Sequence, residues 1–98
     1  QHLAGQFFFG FGDGMGFHQI ENTKLYMGVD ELSFEKYYIG EVTTYSYSDD
    51  ITDSAAAATA LATGKKTGND YVGMDISGND LKNIMEISKD NGRKTGIA

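Results

Sequence analysis

The sequence ITDSAAAATALATG (residues 51–64) places an acid–serine pair directly before a run of small, helix-favouring residues. Six alanines and one leucine lie within residues 54–63, and both residue types have high helix propensity, so the stretch predicts a helix over 54–63. Asp53 or Thr52 is expected to cap its start, because a short polar side chain accepts a hydrogen bond from a first-turn N–H. Gly64 is expected to end it, since glycine readily adopts the left-handed conformation.

Two further helices are predicted on either side of this stretch. The spacing of apolar residues predicts a helix over 17–27, with Gly28 as its C-terminal stop. A second helix is predicted over 79–91. In that helix Lys82 and Glu86 have the i,i+4 spacing of a stabilising ion pair.

Short stretches rich in aromatic and β-branched residues predict strands between and beyond these helices. They lie at 6–11, 37–47 and 94–98. Strands that alternate with helices indicate an α/β fold, with part of a mainly parallel sheet flanked by helices. Residues 1–98 are expected to be a single, incomplete part of such a domain, because a parallel sheet needs both of its faces covered.

Composition excludes several classes of function. The chain has 98 residues, of which 40% are hydrophobic and 22% charged, which is typical of globular proteins. Its net charge of -6 is opposite to the charge that neutralises phosphates, so no nucleic-acid-binding surface is predicted. No apolar run, the three phenylalanines at 7–9 included, is long enough to span a membrane, and no signal-peptide pattern is visible. With no cysteine and only His2 and His18, the chain alone cannot form a multi-histidine metal site.

Asp13 is the first candidate functional residue. It follows the apolar stretch 6–11 and stands among Gly12, Gly14 and Gly16. In open α/β sheets ligands bind beyond the carboxyl ends of the strands, and a carboxylate there suits a divalent cation. Asp13 is therefore either a metal ligand or simply a turn residue in a glycine loop.

Ser54 is the second candidate, at the first turn of the predicted helix. Free N–H groups and the positive end of the helix dipole make such a position an anion site, for which phosphate is a natural ligand. A serine hydroxyl is a weak nucleophile unless a base or a metal activates it. No histidine is near in sequence, so metal activation is favoured. The alternative is that Asp53 and Ser54 only cap the helix.

Taken together, these two motifs resemble those of the alkaline phosphatases. The segment 51–59 is similar to the family's nucleophile signature of an aliphatic residue, any residue, Asp-Ser, four small residues and Thr. The segment 12–16 resembles its first metal-binding motif. The segments 40–45, 62–67 and 94–97 also resemble family sequences, so the similarity covers nearly the whole chain in order. The resemblance implies an alkaline-phosphatase-like core, of which this chain is an N-terminal part.

The resemblance also implies roles for four residues. Ser54 would attack phosphorus, form a phosphoserine intermediate and contact a metal, and the Ala55 N–H would face the phosphate. Asp13 would hold a zinc ion and approach the magnesium site, and Asp53 would orient the family's phosphate-binding arginine. The complete site would contain two Zn²⁺ and one Mg²⁺, with this chain supplying only part of the ligands. Two-metal hydrolysis of phosphate monoesters would follow.

Two alternative functions stay open at this point. In the first alternative, the chain is a non-catalytic phosphate- or metal-binding fragment that needs a partner chain. In the second, it is part of a related phosphodiesterase of the same superfamily. A homodimer or a complementing chain is the expected partner. An extracellular or periplasmic location is implied by the resemblance alone.

Overall fold

The computed structural model describes residues 5–98, so His2 lies outside the described residues. The chain divides into two compact units, the first ending at Gly40 and the second being Glu41–Ala98. Each unit is described by itself below. The single-domain assignment of residues 1–98 stays a prediction.

Helices are the regular elements of the described chain. Helix α1 is Phe17–Met27, followed by a short 3-10 helix at Glu35–Tyr37 in the same unit. The second unit contains α2, Ser54–Thr63, and α3, Ile84–Asp90. The predicted helices over 17–27 and 54–63 are confirmed with these bounds. Their stops are confirmed too, because Gly28 and Gly64 have φ of 66° and 74°, in the left-handed region.

An ion-pair cluster joins the two helices of the first unit. Lys24 Nζ in α1 lies 2.7 Å from Glu21 Oε1 and 3.2 Å from Glu35 Oε1. The second oxygen of Glu35 accepts a hydrogen bond from the Leu32 N–H at 2.6 Å. That N–H bond is the main reason why the pKa of Glu35 is lowered. The loop between α1 and the 3-10 helix is thereby tied back to α1.

The most deeply buried residues of the second unit lie on α2 and on the segment that follows it, and Ser46, before the helix, is buried as well. Ala56 and Thr59 on α2 are 2% and 3% exposed, and Thr67 is 1% exposed. Small side chains let the neighbouring backbone approach the helix closely, as dense packing requires. Helix α2 also contacts α3.

The predicted α/β fold with a mainly parallel sheet is wrong for residues 5–98. The only β pairing among them is an isolated antiparallel bridge between Met74 and Asp80. The predicted strand over 6–11 is unpaired, and Phe7 and Phe8 are 79% and 89% exposed instead of buried. The physical reason is that a strand is stabilised by hydrogen bonds to neighbouring strands and by packing on its faces. The described residues provide no strand partner to this stretch, nor to 94–98. The predicted strand over 37–47 is also wrong: Tyr37 ends the 3-10 helix, and the Tyr47 N–H makes a single backbone bond across to Thr67 O at 2.9 Å, without forming a ladder.

The predicted helix over 79–91 begins five residues later than expected, at Ile84. Asn79 and Leu81 are used instead by a turn, in which the Leu81 N–H donates to Gly73 O at 2.8 Å. The predicted Lys82–Glu86 pair is also wrong. Lys82 precedes the helix and pairs with Asp90, while Glu86 accepts the Asn83 N–H at 2.9 Å in a capping box.

Within the described residues, no helix has the length and apolar content that a membrane span needs.

Candidate active site

Asp53 caps α2 and connects its first turn to a distant loop. Its Oδ1 accepts the Ala56 N–H at 2.8 Å, and its Oδ2 accepts the Asp70 N–H at 2.7 Å. These bonds stabilise the ionised carboxylate, so the pKa of Asp53 is lowered, with the Ala56 N–H as the largest cause. Of the two caps that the sequence allowed, Asp53 is therefore confirmed.

Ser54 occupies the first helical position and its side chain is exposed. Two N–H groups of the first turn are occupied. The Ala56 N–H donates to Asp53 Oδ1, and the Ala57 N–H donates to Asp53 O at 3.0 Å. The N–H groups of Ser54 and Ala55 donate to no acceptor among residues 5–98. Two free donors and one hydroxyl thus lie together at the positive end of the helix dipole, where an anion is stabilised.

The Asn69 side chain holds the backbone that enters α2. Its Oδ1 accepts the Asp53 N–H at 3.2 Å, and its Nδ2 donates to Ile51 O at 3.0 Å. Asn69 is not among the site residues predicted from the sequence. No local pattern points to it, because its partners lie 16 and 18 residues earlier in the chain.

Thr59 fixes the same loop one turn further along α2. Its hydroxyl donates to Tyr71 O at 3.2 Å and accepts the Gly73 N–H at 2.9 Å. The buried Thr59 and the capping Asp53 together attach residues 70–73 to the first two turns of the helix. The start of α2 is therefore held in place by two of its own side chains, which bond to residues 70–73.

Asp13 lies at the tip of a tight turn in the first unit. The Met15 N–H donates to Gly12 O at 3.0 Å, and Gly14 has a φ of 69°, as a type II turn requires of its third residue. A Cβ on Gly12 would lie 2.8 Å from Met15 Cε, so a side chain there would force Met15 to move. The Asp13 side chain is exposed.

The described residues do not by themselves fit a zinc or magnesium centre. Asp13 belongs to the first unit and Ser54 to the second. No group of three His, Cys, Asp or Glu side chains in residues 5–98 is arranged to hold a metal ion, whereas zinc takes four ligands and magnesium six. Asp13 and Ser54 offer one carboxylate and one hydroxyl. The assignment of both as metal ligands stays a prediction.

Comparisons with known proteins identify relatives along most of the chain. The profile of the family described as alkaline phosphatase matches residues 7–98. The chain is 36% identical over 94 residues to alkaline phosphatase 3 of Bacillus subtilis, covering 88% of this chain and 20% of that protein. It is 37% identical over 99 residues to the alkaline phosphatase of Escherichia coli, covering 87% and 20%. The chain thus spans about a fifth of the length of these curated relatives. No solved structure is significantly similar to it.

Proposed function

The chain belongs to the alkaline phosphatase family, and on that premise we propose that the protein carrying it hydrolyses phosphate monoesters with Ser54 as the nucleophile. The observation that supports this proposal is the position of Ser54. Its exposed hydroxyl stands beside the free N–H groups of Ser54 and Ala55 at the start of α2. Those two donors would bind phosphate oxygens while the hydroxyl faces the phosphorus atom.

The reaction would proceed in two displacements at phosphorus. Ser54 Oγ forms a bond to phosphorus as the ester P–O bond breaks, and the proton that Oγ loses ends on the departing oxygen, so that an alcohol leaves. Water then attacks the phosphoserine, releasing inorganic phosphate and restoring the hydroxyl. Splitting hydrolysis into two steps through a covalent intermediate is the general use of a nucleophilic side chain.

Asp53 is not suited to accept the serine proton. Both of its oxygens already accept backbone N–H groups, from Ala56 and Asp70. Its lowered pKa makes it a weak base. We propose that Asp53 instead maintains the conformation of the turn that carries Ser54. A contact between Asp53 and a phosphate-binding arginine remains a prediction.

We further propose that the full-length protein holds two Zn²⁺ and one Mg²⁺, that Asp13 is a ligand of one of these ions and that Ser54 contacts one of them. A divalent cation near Ser54 would supply the activation that the hydroxyl needs. Replacing Asp13 with Asn in the full-length protein is expected to lower its zinc content, measured by elemental analysis after dialysis. An unchanged zinc content would contradict this role. An extracellular or periplasmic location also stays a prediction.

The nucleophile is tested by trapping the covalent intermediate. The full-length protein carrying residues 1–98 is mixed with a radiolabelled phosphate monoester, quenched in acid and digested. Labelled phosphoserine is expected at Ser54. Ser54→Ala is expected to lose both the label and turnover by several orders of magnitude. Ser77→Ala is the matched control, because Ser77 is also exposed and its hydroxyl makes no hydrogen bond among the described residues.

Other outcomes would select the alternatives. Near-normal turnover in Ser54→Ala would refute the nucleophile assignment. Faster hydrolysis of a phosphate diester than of the monoester would favour a phosphodiesterase. Binding of inorganic phosphate without any labelled serine would favour a non-catalytic binding protein. A homodimer or a complementing chain would be detected by the mass of the particle in solution.

A further inference from the structure

We propose that Asn69 is a positioning residue for Ser54, acting through the backbone of residues 51–53; this inference rests on the proposed function. Asn69 does not contact the substrate in this proposal. It sets the direction in which the chain enters α2, and hence the orientation of the Ser54 hydroxyl.

The Asn69 side-chain amide makes a pair of hydrogen bonds to the backbone just before Ser54. It accepts from the Asp53 N–H at 3.2 Å and donates to Ile51 O at 3.0 Å. The two bonds lie on either side of Thr52, so they restrain the backbone rotations of the residues just before Ser54. An amide has both a donor and an acceptor, and this clamp requires both.

Asn69 is itself held in place by its neighbours. Its N–H donates to Ser48 Oγ at 3.0 Å, and the next N–H, that of Asp70, donates to Asp53 Oδ2 at 2.7 Å. Asp70 has a φ of 68°, a left-handed conformation that costs a non-glycine residue free energy. Strained backbone persists where the surrounding contacts determine it, and such positions cluster at functional sites. Beyond Asp70, Thr59 holds Tyr71 and Gly73 against the helix.

The Ser54 hydroxyl makes no hydrogen bond of its own among residues 5–98. The backbone before it therefore fixes where its Oγ lies relative to phosphate bound on the N–H groups of Ser54 and Ala55. Attack at phosphorus depends steeply on this alignment, and a displacement of about 1 Å costs roughly 100-fold in rate.

The test uses Asn69→Ala in the full-length protein carrying residues 1–98, with a phosphate monoester as substrate. We expect kcat to fall roughly 10- to 100-fold, and KM to stay within about threefold, because the two binding N–H groups remain. The rate of Ser54 phosphorylation in a single turnover is expected to fall by the same factor as kcat. Asn69→Asp retains the acceptor for the Asp53 N–H but loses the donor to Ile51 O, so its kcat is expected to lie between those of wild type and Asn69→Ala.

Asn79→Ala is the matched control. Asn79 also donates through its side chain, to Asp75 at 3.3 Å, but it makes no hydrogen bond to residues 51–54 among the described residues. Circular dichroism at the assay temperature establishes that each variant is folded. Asn79→Ala is expected to keep the kcat of wild type.

The outcomes separate the inference from the function on which it rests. If wild type forms phosphoserine at Ser54 but Asn69→Ala keeps its kcat within about twofold, the positioning role is wrong and the function stands. Equal losses in Asn69→Ala and Asn79→Ala would show a merely structural role and would also overturn it. If Asn69→Ala does not fold, a wild-type kcat in Asn69→Asp overturns it. Absence of phosphoserine in wild type would refute the function itself.

Discussion

Two buried threonines of the second unit are expected to respond in opposite ways to the same substitution. The Thr59 hydroxyl makes two hydrogen bonds, to Tyr71 O at 3.2 Å and from the Gly73 N–H at 2.9 Å. The Thr67 hydroxyl is fully buried and has no partner in the described structure. Valine has nearly the shape of threonine but lacks the hydroxyl, so Thr→Val isolates the hydrogen bonds.

The expected magnitudes follow from these contacts. Thr59→Val loses two bonds worth about 1 kcal/mol each and is expected to lower the free energy of unfolding by about 2 kcal/mol. Thr67→Val loses no bond and removes a hydroxyl that is buried without compensation. It is expected to raise the free energy of unfolding by about 1 kcal/mol. The two variants should thus differ by about 3 kcal/mol.

The assay is urea unfolding of the 98-residue chain, followed by far-UV circular dichroism, since the chain has no tryptophan. Thr63→Val is the control, because the Thr63 hydroxyl only bonds back to Thr59 O within the helix and to the nearby Lys65 N–H. It is expected to change stability by less than about 0.5 kcal/mol. Equal changes in Thr59→Val and Thr67→Val would refute the reasoning, since burial alone would then account for both.

Two further predictions concern a helix end and a pH dependence. Gly64→Ala is expected to destabilise the chain by about 1 kcal/mol, because Gly64 has a φ of 74° at the end of α2. Gly96→Ala, with open space and no left-handed φ, should leave the melting temperature unchanged, and an equal drop in both variants would contradict the prediction. The Asn79 N–H and side chain, with Lys65, lower the pKa of Asp75 to about 2. Because the folded pKa lies below the unfolded one, the stabilisation is complete above pH ~4 and is lost as pH falls toward 2. Asp75→Asn should flatten this part of the stability–pH curve in urea unfolding, and unchanged curvature would show that Asp75 is not the group responsible.

Local sequence signals were sufficient where an element is determined by its own residues. The bounds of α1 and α2 followed from helix propensity, from Asp53 as cap and from Gly28 and Gly64 as stops. The start of α3 was misplaced although a signal was present. Asn83 and Glu86 have the spacing of a capping box, which fixes the N-cap three residues before Glu86 and so the first helical residue at Ile84.

Non-local features were beyond this kind of prediction. Whether residues 6–11 pair as a strand depends on partners that the described residues do not supply. The role of Asn69 depends on contacts with Ile51 and Asp53, which no pattern near residue 69 encodes. Ser54 and Asp13 were candidates from their places at a helix start and in a glycine turn, but the choice between a chemical role and a merely structural one depended on the resemblance of their motifs to a known family.

The unpaired segment 6–11 also has a consequence for the behaviour of the chain in solution. No backbone hydrogen bond pairs this segment with another stretch of the described residues. Its phenylalanines at 7, 8, 9 and 11 are all more than half exposed. It contains no charge and no proline to discourage stacking against a copy of itself. A segment of this kind can template intermolecular β-sheet, so we expect the isolated 98-residue chain, when stored at high concentration, to aggregate through residues 6–11 while α2 is still folded.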